Sequence, residues 1–172
     1  MRDDNGAAAV EFALIAFPFF LFILGILELG MLSIRMSMVD NATADVTRLV
    51  RVGSAQEASL TQEEFEVLIC DKVKIIVDCA TRKSVTVQLQ RVDNFASVPT
   101  GDVQCVTGSE APGTEPAITF QRTASDEITF ARVCVTVPIF MPGFGLGLSL
   151  DKLEGRYFGI TETLVFRNEP FD

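Results

Sequence analysis

Residues 6–34 read GAAAVEFALIAFPFFLFILGILELGMLSI, and this stretch decides how the chain is organised. No residue from Phe12 to Leu27 is charged, and Glu28 is the one charge in the second part of the apolar run. A helix over residues 12–34 would be about 34 Å long at ~1.5 Å per residue. A bilayer hydrocarbon core is about 30 Å thick. The stretch therefore predicts one membrane-spanning helix with a modest tilt.

The composition of the whole chain limits the functions to consider. It has 172 residues, a net charge of −9 and no histidine. An acidic chain lacks the basic surface that nucleic-acid binding requires, and without histidine most zinc sites and the Ser-His and Cys-His nucleophile pairs are excluded. No acidic group has calcium-loop spacing, and no glycine-rich segment matches a phosphate loop. We therefore expect no catalytic residue, no metal and no cofactor.

The chain has four cysteines, and all of them follow the apolar stretch: Cys70, Cys79, Cys105 and Cys134. None forms a CxxC pair, which argues against a zinc ribbon or a thioredoxin-like redox motif. An even number on one side of a membrane favours two disulfides in an oxidising compartment, and buried free thiols are the alternative. Of the three connectivities, Cys70–Cys79 with Cys105–Cys134 is preferred because its first pair is close in sequence.

The start of the apolar stretch has a specific pattern. Gly6 is followed by Ala7, and counting from Ala7 the fifth and sixth residues are Glu11 and Phe12. This pattern resembles the type IV prepilins, in which a membrane peptidase cuts after the glycine. The resemblance implies a leader of residues 1–6 and cleavage at Gly6–Ala7. A secretory signal fits less well, because the apolar run exceeds the usual ~7–15 residues.

The resemblance narrows to the TadE family of tight-adherence (Flp) pilus assembly proteins. The shared features are the AAVEFAL start, a mid-helix proline (Pro18), the Glu28-Leu29-Gly30 element and an Arg-Asn-Glu-Pro ending at residues 167–170. It implies a minor pilin or pseudopilin that helps to start or build the pilus. Its implied partners are a paralogue among the minor pilins, the major Flp pilin, the inner-membrane assembly platform and the prepilin peptidase.

Two acidic residues in the apolar stretch each have two interpretations. In pilins the new amine, here that of Ala7, meets the fifth-position glutamate, commonly of a neighbour. Glu11 would thus neutralise a neighbour's ammonium, or it simply reaches water at the interface. Glu28 either reaches from the far interface towards Arg35 or binds a partner helix. Pro18 removes a backbone donor and is expected to kink the helix.

Charge and cysteine content disagree about where the domain lies. Arg2 alone precedes the span, whereas Arg35, Arg48 and Arg51 follow it, so the positive-inside rule places the domain in the cytoplasm. The cysteine number and the prepilin-like leader favour the opposite side. We expect a bacterial inner-membrane protein with a cytoplasmic N-terminus and a periplasmic domain, and leave open whether the chain enters a surface pilus.

Helical periodicity continues beyond the span. One helix is predicted from residue 7 to about residue 52, with Gly53 as its C-terminal stop. Thr61 and Glu64 form a capping box that starts a second helix, which ends near Val77. The apolar stripe of the first helix beyond the span consists of Val39, Ala42, Val46 and Leu49.

Strand patterns follow in the second half of the chain. Residues 84–92 alternate as a half-buried strand, residues 127–140 give the strongest strand signal, and residues 155–167 form the last strand. Residues 118–122 are a weak fourth candidate. The apolar positions of the second strand change register, which predicts a bulge near Ala131.

The resulting fold class is α+β, with a long membrane-spanning helix, a short second helix and an antiparallel sheet of three or four strands. The predicted divisions are a leader at 1–6, the long helix at 7–53 and a small domain at 54–172. The loop at 93–126 is long enough to be functional or mobile. Residues 141–153 are apolar on a glycine-rich backbone and form an Ω-like loop, a patch that meets a membrane or partner, or part of the core.

Two functional classes remain. One is the pilus assembly subunit described above, which is not an enzyme. The other is a membrane-tethered extracytoplasmic binding or adhesion module that keeps its leader and recognises a ligand through the loop at 93–126. An enzyme with a signal anchor has no residue constellation to support it.

Overall fold

The computed structural model describes residues 5–79, 84–101, 105, 118–143 and 145–171. Helix α1 spans Asn5–Arg51, the one-turn helix α2 spans Ser54–Glu57, and helix α3 spans Gln62–Val73. The predicted leader, apart from its last two residues, and residues 102–104 and 106–117 of the predicted loop at 93–126 lie outside the described residues. The long helix α1 and the predicted second helix, which is α3, are present, and the one-turn helix α2 between them was not predicted.

The sheet has three strands in the described part of the chain, in the order β1-β2-β3 with antiparallel neighbours. They are β1 (Val85–Val92), β2 (Ile128–Pro138) and β3 (Tyr157–Arg167). The weak fourth candidate is reduced to one parallel bridge between Phe120 and Leu89. The fold class is therefore α+β, as predicted.

The predicted bulge at Ala131 is wrong. β2 pairs with β1 and with β3 in continuous register over the full length of each pairing. Phe130 and Val133 lie on opposite faces of β2, and both are buried. Because β2 is the central strand and is covered on both sides, its apolar residues do not alternate with polar ones.

Helix α1 ends where the sequence predicts, and tertiary packing explains the residue that ends it. Gly53 has a φ of 86°, in the left-handed region that favours glycine. A Cβ at this position would also lie 2.5 Å from Cγ of Phe171, close to the C-terminus. The tail is held further by Glu169, whose backbone N–H donates to the Arg51 carbonyl at 2.8 Å. The two ends of the domain are thus packed together.

The core lies between one face of the sheet and the two main helices. On α1 the buried apolar residues are Val39, Ala42, Val46 and Val50, so Val50 takes the place predicted for Leu49, which is half-buried. Thr43 and Thr47 are not part of the predicted apolar stripe, yet both are buried. Their hydroxyls donate to the carbonyls of Val39 and Thr43, at 2.8 Å and 2.7 Å. Because the helix itself satisfies these polar groups, their burial costs little.

Helix α3 begins at the predicted capping box. Glu64 Oε2 accepts hydrogen bonds from the Thr61 N–H at 2.8 Å and from its hydroxyl at 3.0 Å, and the Glu64 N–H donates to Thr61 Oγ1 at 3.3 Å. These bonds hold the pKa of the Glu64 carboxyl below its ordinary value. The helix ends at Val73, a turn earlier than predicted, and buries Phe65, Ile69 and Val73.

Candidate functional site on the N-terminal helix

Helix α1 has two halves with different surroundings. Among the described residues it is the one helix long and apolar enough to cross a membrane, with a mean hydropathy of 2.5 in its apolar part. None of that part is buried in the protein, and large side chains such as Phe12, Phe17 and Phe22 are exposed. From Val39 onwards the helix packs into the domain core. A helix whose first half exposes mainly large apolar side chains suggests membrane anchoring.

The residues of the predicted prepilin motif lie in the first turns of α1. Gly6, Ala7, Glu11 and Phe12 are all helical and exposed. Ala7 and Glu11 are four residues apart, which places them on the same face of the helix, about 6 Å apart between Cβ atoms. The exposure leaves this face open to another subunit. The cleavage at Gly6–Ala7 and the role of Glu11 stay predictions.

Pro18 lies inside α1, and the chain is helical on both sides of it. Membrane helices accommodate proline in this way because neighbouring groups can satisfy the freed backbone carbonyl. The kink expected at Pro18 stays a prediction. Gly25 and Gly30 have no atom within 4 Å of a Cβ placed on them, so space is left there for another helix to approach closely.

Glu28 has surroundings that sequence reasoning missed. It is 4 % exposed, and neither carboxylate oxygen has a hydrogen-bond partner among the described residues. The chain itself covers it: a Cβ on Gly145, which has a φ of 58°, would lie 3.3 Å from Glu28 Oε2. Gly145 lies between β2 and β3, so the contact is long-range. No local pattern around Glu28 could have indicated it.

Arg35 is the basic residue towards which Glu28 was predicted to reach. Both residues line one cavity of about 20 Å³, together with Pro138 and Phe140, which is room for about one water molecule. Arg35 Nη1 donates to the Pro138 carbonyl, and Arg35 Nε has no hydrogen-bond partner in the part of the chain that the structure describes. The structure thus brings the two residues to the same cavity, under the segment that follows β2.

Both predicted cysteine pairs lie at disulfide distance. Cys70 and Cys79 join the end of α3 to the turn after it, with their Cα atoms 6.3 Å apart. Cys105 and Cys134 join the loop after β1 to the central strand, with a Cα separation of 5.5 Å. The second bridge lies over Gly159, where a Cβ would be 2.5 Å from Cys105 Sγ. This pairing fits a domain in an oxidising compartment.

The second bridge belongs to a cover over the face of the sheet that is turned away from the helices. Arg132 donates to the carbonyls of Gly101 and Pro99, at 2.7 Å and 2.9 Å. Its guanidinium carbon lies 4.8 Å from the centre of the Phe130 ring. The segment before Cys105 is thus held against β2, and this cover is why Phe130 is buried.

An acidic side chain lies on the face of the sheet that is turned towards α1. Glu162 is on β3 and is half-buried. Burial, followed by the negative charge of Asp40 on α1, raises the pKa of the Glu162 carboxyl. Further along, α1 and β3 leave a groove of about 300 Å³ that is lined by residues including Arg48, Arg51 and Phe166. The side of the domain between α1 and β3 therefore has acidic residues near Asp40 and basic residues further along α1.

The C-terminal motif has a structural role that the sequence did not disclose. Asn168 is buried, and its Nδ2 donates to Thr123 Oγ1 at 2.9 Å and to the Ala124 carbonyl at 2.7 Å. The buried Thr129 hydroxyl lies 2.8 Å from Thr123 Oγ1 and 3.1 Å from Asn168 Oδ1. These three polar side chains satisfy one another and tie the last residues to the sheet.

Comparison with known proteins bears on the first part of α1. A family model described as TadE-like protein matches residues 6–48, a segment that contains Gly6, Ala7, Glu11 and Glu28. The match confirms the resemblance over this segment, which is similar to the TadE-like family, whereas the Arg-Asn-Glu-Pro element at 167–170 lies outside the match. It suggests a protein associated with the Tad pilus, and the family is not known to be enzymatic. No curated protein and no solved structure matches the chain.

Proposed function

We propose that the protein is a minor pilin or pseudopilin of the tight-adherence type, a structural subunit that helps to start or build the Flp pilus. The observation that carries the proposal is the family match, which begins at Gly6 and includes Ala7, Glu11 and Phe12. These residues lie on a helix whose apolar half is exposed, which supports packing into a membrane first and into a helix bundle afterwards.

The assembly chemistry is a charge pair between subunits. Cleavage after Gly6 would give Ala7 a free ammonium, and Glu11 is the acid that an ammonium of a neighbouring copy or paralogue can reach. A lone carboxylate or ammonium in hydrocarbon costs several kcal/mol, up to about 2.5–3.5 kcal/mol at mid-bilayer on insertion scales. Pairing offsets part of that cost for both groups. Helices would therefore associate with a fixed stagger.

The compartment and the partners follow from the same proposal. The N-terminus would lie in the cytoplasm, where the prepilin peptidase removes residues 1–6, and the domain in the periplasm, where its cysteines are oxidised. The helix would meet the inner-membrane assembly platform and the major Flp pilin. The domain would meet other minor subunits.

Two measurements test the proposal in the native host. The intact mass of the membrane-extracted chain should correspond to a protein that begins at Ala7. Glu11→Gln, which removes the charge and keeps the shape, should greatly reduce the number of surface pili seen by electron microscopy. Glu63→Gln, at an exposed acid on α3, is the matched control and should leave the number unchanged.

The possible outcomes separate the two functional classes. Pili at wild-type numbers with Glu11→Gln would contradict the charge pair. A mass that includes residues 1–6 would contradict processing and would favour the tethered binding module. Loss of pili with both glutamine variants would show that the assay detects general damage, and the role of Glu11 would then be rejected.

A further inference from the structure

The segment that follows β2, described at residues 139–143 and 145–150 and called the docking loop below, packs against α1. Its Gly145–Leu148 turn lies over Glu28, and Phe140 and Leu150 line the small cavity together with Met31 and Arg35 of α1. The loop therefore stands beside the stretch of α1 from residue 28 to residue 35. On the sequence alone, most of this stretch belongs to the membrane span.

The loop backbone and a hydrocarbon environment are incompatible. Irregular backbone does not occur where it faces lipid hydrocarbon, because its N–H and C=O groups find no partners there. If the hydrocarbon core reached Ile34, about six residues of α1 beyond Glu28, or roughly 9 Å, would lie in lipid with the loop beside them. The hydrocarbon must therefore end near Glu28.

We propose that the docking loop lies in the lipid headgroup layer and that the hydrocarbon core is crossed by residues 7–27 rather than 12–34. Residues 7–27 form a helix about 31 Å long at ~1.5 Å per residue, which matches a core of about 30 Å. The lipid surface is thus a second partner of the domain, in addition to the lipid around α1.

The exposed side chains of the loop support a lipid occupant. Phe140 is 60 % exposed and Leu148 is 63 % exposed. Phe140 lies beside Met31 of α1 at the small cavity, and Met31 and Leu29 are themselves exposed on α1. Apolar side chains beside a polar backbone are typical of elements that lie in the interface plane of a bilayer.

The shifted span changes the setting of both acidic residues. Glu28 lies at the edge of the hydrocarbon, where the docking loop separates its carboxylate from lipid. Glu11 lies about 6 Å inside the opposite edge, so it needs a cation more than the sequence-based span implies. The inference rests on α1 crossing a membrane, and it does not require that the chain enters a pilus.

The absence of tryptophan from the chain allows a direct measurement of depth. Single variants Phe12→Trp, Phe17→Trp, Phe22→Trp and Phe140→Trp each add one fluorophore at an exposed phenylalanine. The full chain is reconstituted in phosphatidylcholine–phosphatidylglycerol vesicles that contain lipids brominated either near the headgroup or near the acyl-chain end. Phe95→Trp, at a 63 % exposed position of the domain away from α1, is the control.

The expected pattern differs between the two spans. With residues 7–27 in the hydrocarbon, the tryptophan at position 17 is deepest and those at 12 and 22 lie about 7 Å nearer to opposite surfaces. With residues 12–34, the tryptophan at position 22 would be deepest. The tryptophan at 140 should be quenched by the shallow bromines at least about twofold more than the one at 95, as expected for a side chain in the interface.

Several results would overturn the inference. One is maximal depth at position 22, and another is quenching at position 140 equal to that at 95. Leu148→Trp repeats the loop measurement at an independent exposed site, so a misfolded Phe140 variant cannot decide the result. If position 17 is not quenched by deep bromines, α1 does not span, and both the inference and the membrane anchor fail. Deep quenching at 17 combined with no quenching at 140 rejects the loop contact alone.

Discussion

The carboxylate of Glu28 lies against the backbone of Gly145, so that a Cβ on Gly145 would be 3.3 Å from Oε2 of Glu28. The two residues belong to the first helix and to the connection between the last two strands. Through this contact the domain closes on α1 within the apolar stretch of the helix. The contact also explains why glycine occupies a position with a φ of 58°.

Gly145→Ala should therefore loosen the docking loop. An alanine at positive φ costs roughly 1 kcal/mol, and its Cβ would also press on the Glu28 carboxylate. We expect faster cleavage of the loop in limited proteolysis of the detergent-solubilised protein. Gly143→Ala is the matched control, because Gly143 has no atom within 4 Å of an added Cβ. Equal cleavage rates for the two variants would contradict the contact.

Local patterns were sufficient to predict α1, the start of α3 and the three strands, but not the one-turn helix α2. The apolar run, the helical periodicity after it and Gly53 predict the extent of α1, and the capping box at Thr61 predicts the start of α3. Each of these patterns depends on residues that are close together in sequence. Strand β1 alternates because one of its faces meets the helices. The part of the family resemblance that the match at residues 6–48 confirms likewise lies in one contiguous segment.

Long-range packing was beyond the reach of the same reasoning. The bulge predicted at Ala131 came from assuming that β2 has one buried face, whereas Arg132 and the second cysteine bridge hold a loop over the other face. Glu28 was predicted to reach from the interface towards Arg35 or to bind a partner helix, because its actual neighbour, Gly145, is far away in sequence. The sequence did not indicate that Asn168 is buried, since a polar residue near a chain end is ordinarily exposed.

Glu162 should make the stability of the domain depend on pH. Because burial raises the pKa of its carboxyl in the folded state, the folded protein holds this proton more tightly than the unfolded chain. Its favourable contribution is complete below the ordinary glutamate pKa and is lost as pH rises through the higher folded pKa. Glu162→Gln should therefore be more stable than wild type near neutral pH.

The measurement is the free energy of unfolding in detergent between about pH 4 and pH 8, the range that spans ordinary and raised glutamate pKa values. Asp40→Asn should give a smaller gain, since Asp40 is the second cause of the shift. Glu57→Gln, at an exposed acid on α2, should leave the pH profile as in wild type. If the unfolding free energy of Glu162→Gln depended on pH as in wild type, Glu162 would not be the group responsible for the pH dependence.

The two cysteine bridges should contribute unequally to stability. They close segments with sequence separations of 9 and 29 residues, and loop-closure entropy gives about 2.5 and about 3.5 kcal/mol respectively. The double variant Cys105→Ala/Cys134→Ala should therefore be destabilised by about 1 kcal/mol more than Cys70→Ala/Cys79→Ala. Chemical unfolding of the periplasmically expressed protein measures the difference. If Cys70→Ala/Cys79→Ala were the more destabilised variant, packing in the native state, and not the entropy of the unfolded chain, would determine what each bridge contributes.

Asn168 should be more important for stability than its place near the C-terminus suggests. Asn168→Ala removes the donor to Thr123 Oγ1 and to the Ala124 carbonyl, and leaving buried polar groups unpaired costs about 1–3 kcal/mol. Asn41→Ala, at an exposed amide on α1, makes the same chemical change and should cost little.

Asn168→Asp separates hydrogen bonding from packing, because it keeps the shape and replaces the donor with a carboxylate next to the Ala124 carbonyl. Burial disfavours the charged form, so this variant should be least stable at neutral pH and recover towards about pH 4, where carboxyls protonate. An Asn168→Asp protein with the pH profile of wild type would show that shape alone, and not the hydrogen bonds, holds the C-terminal segment on the sheet.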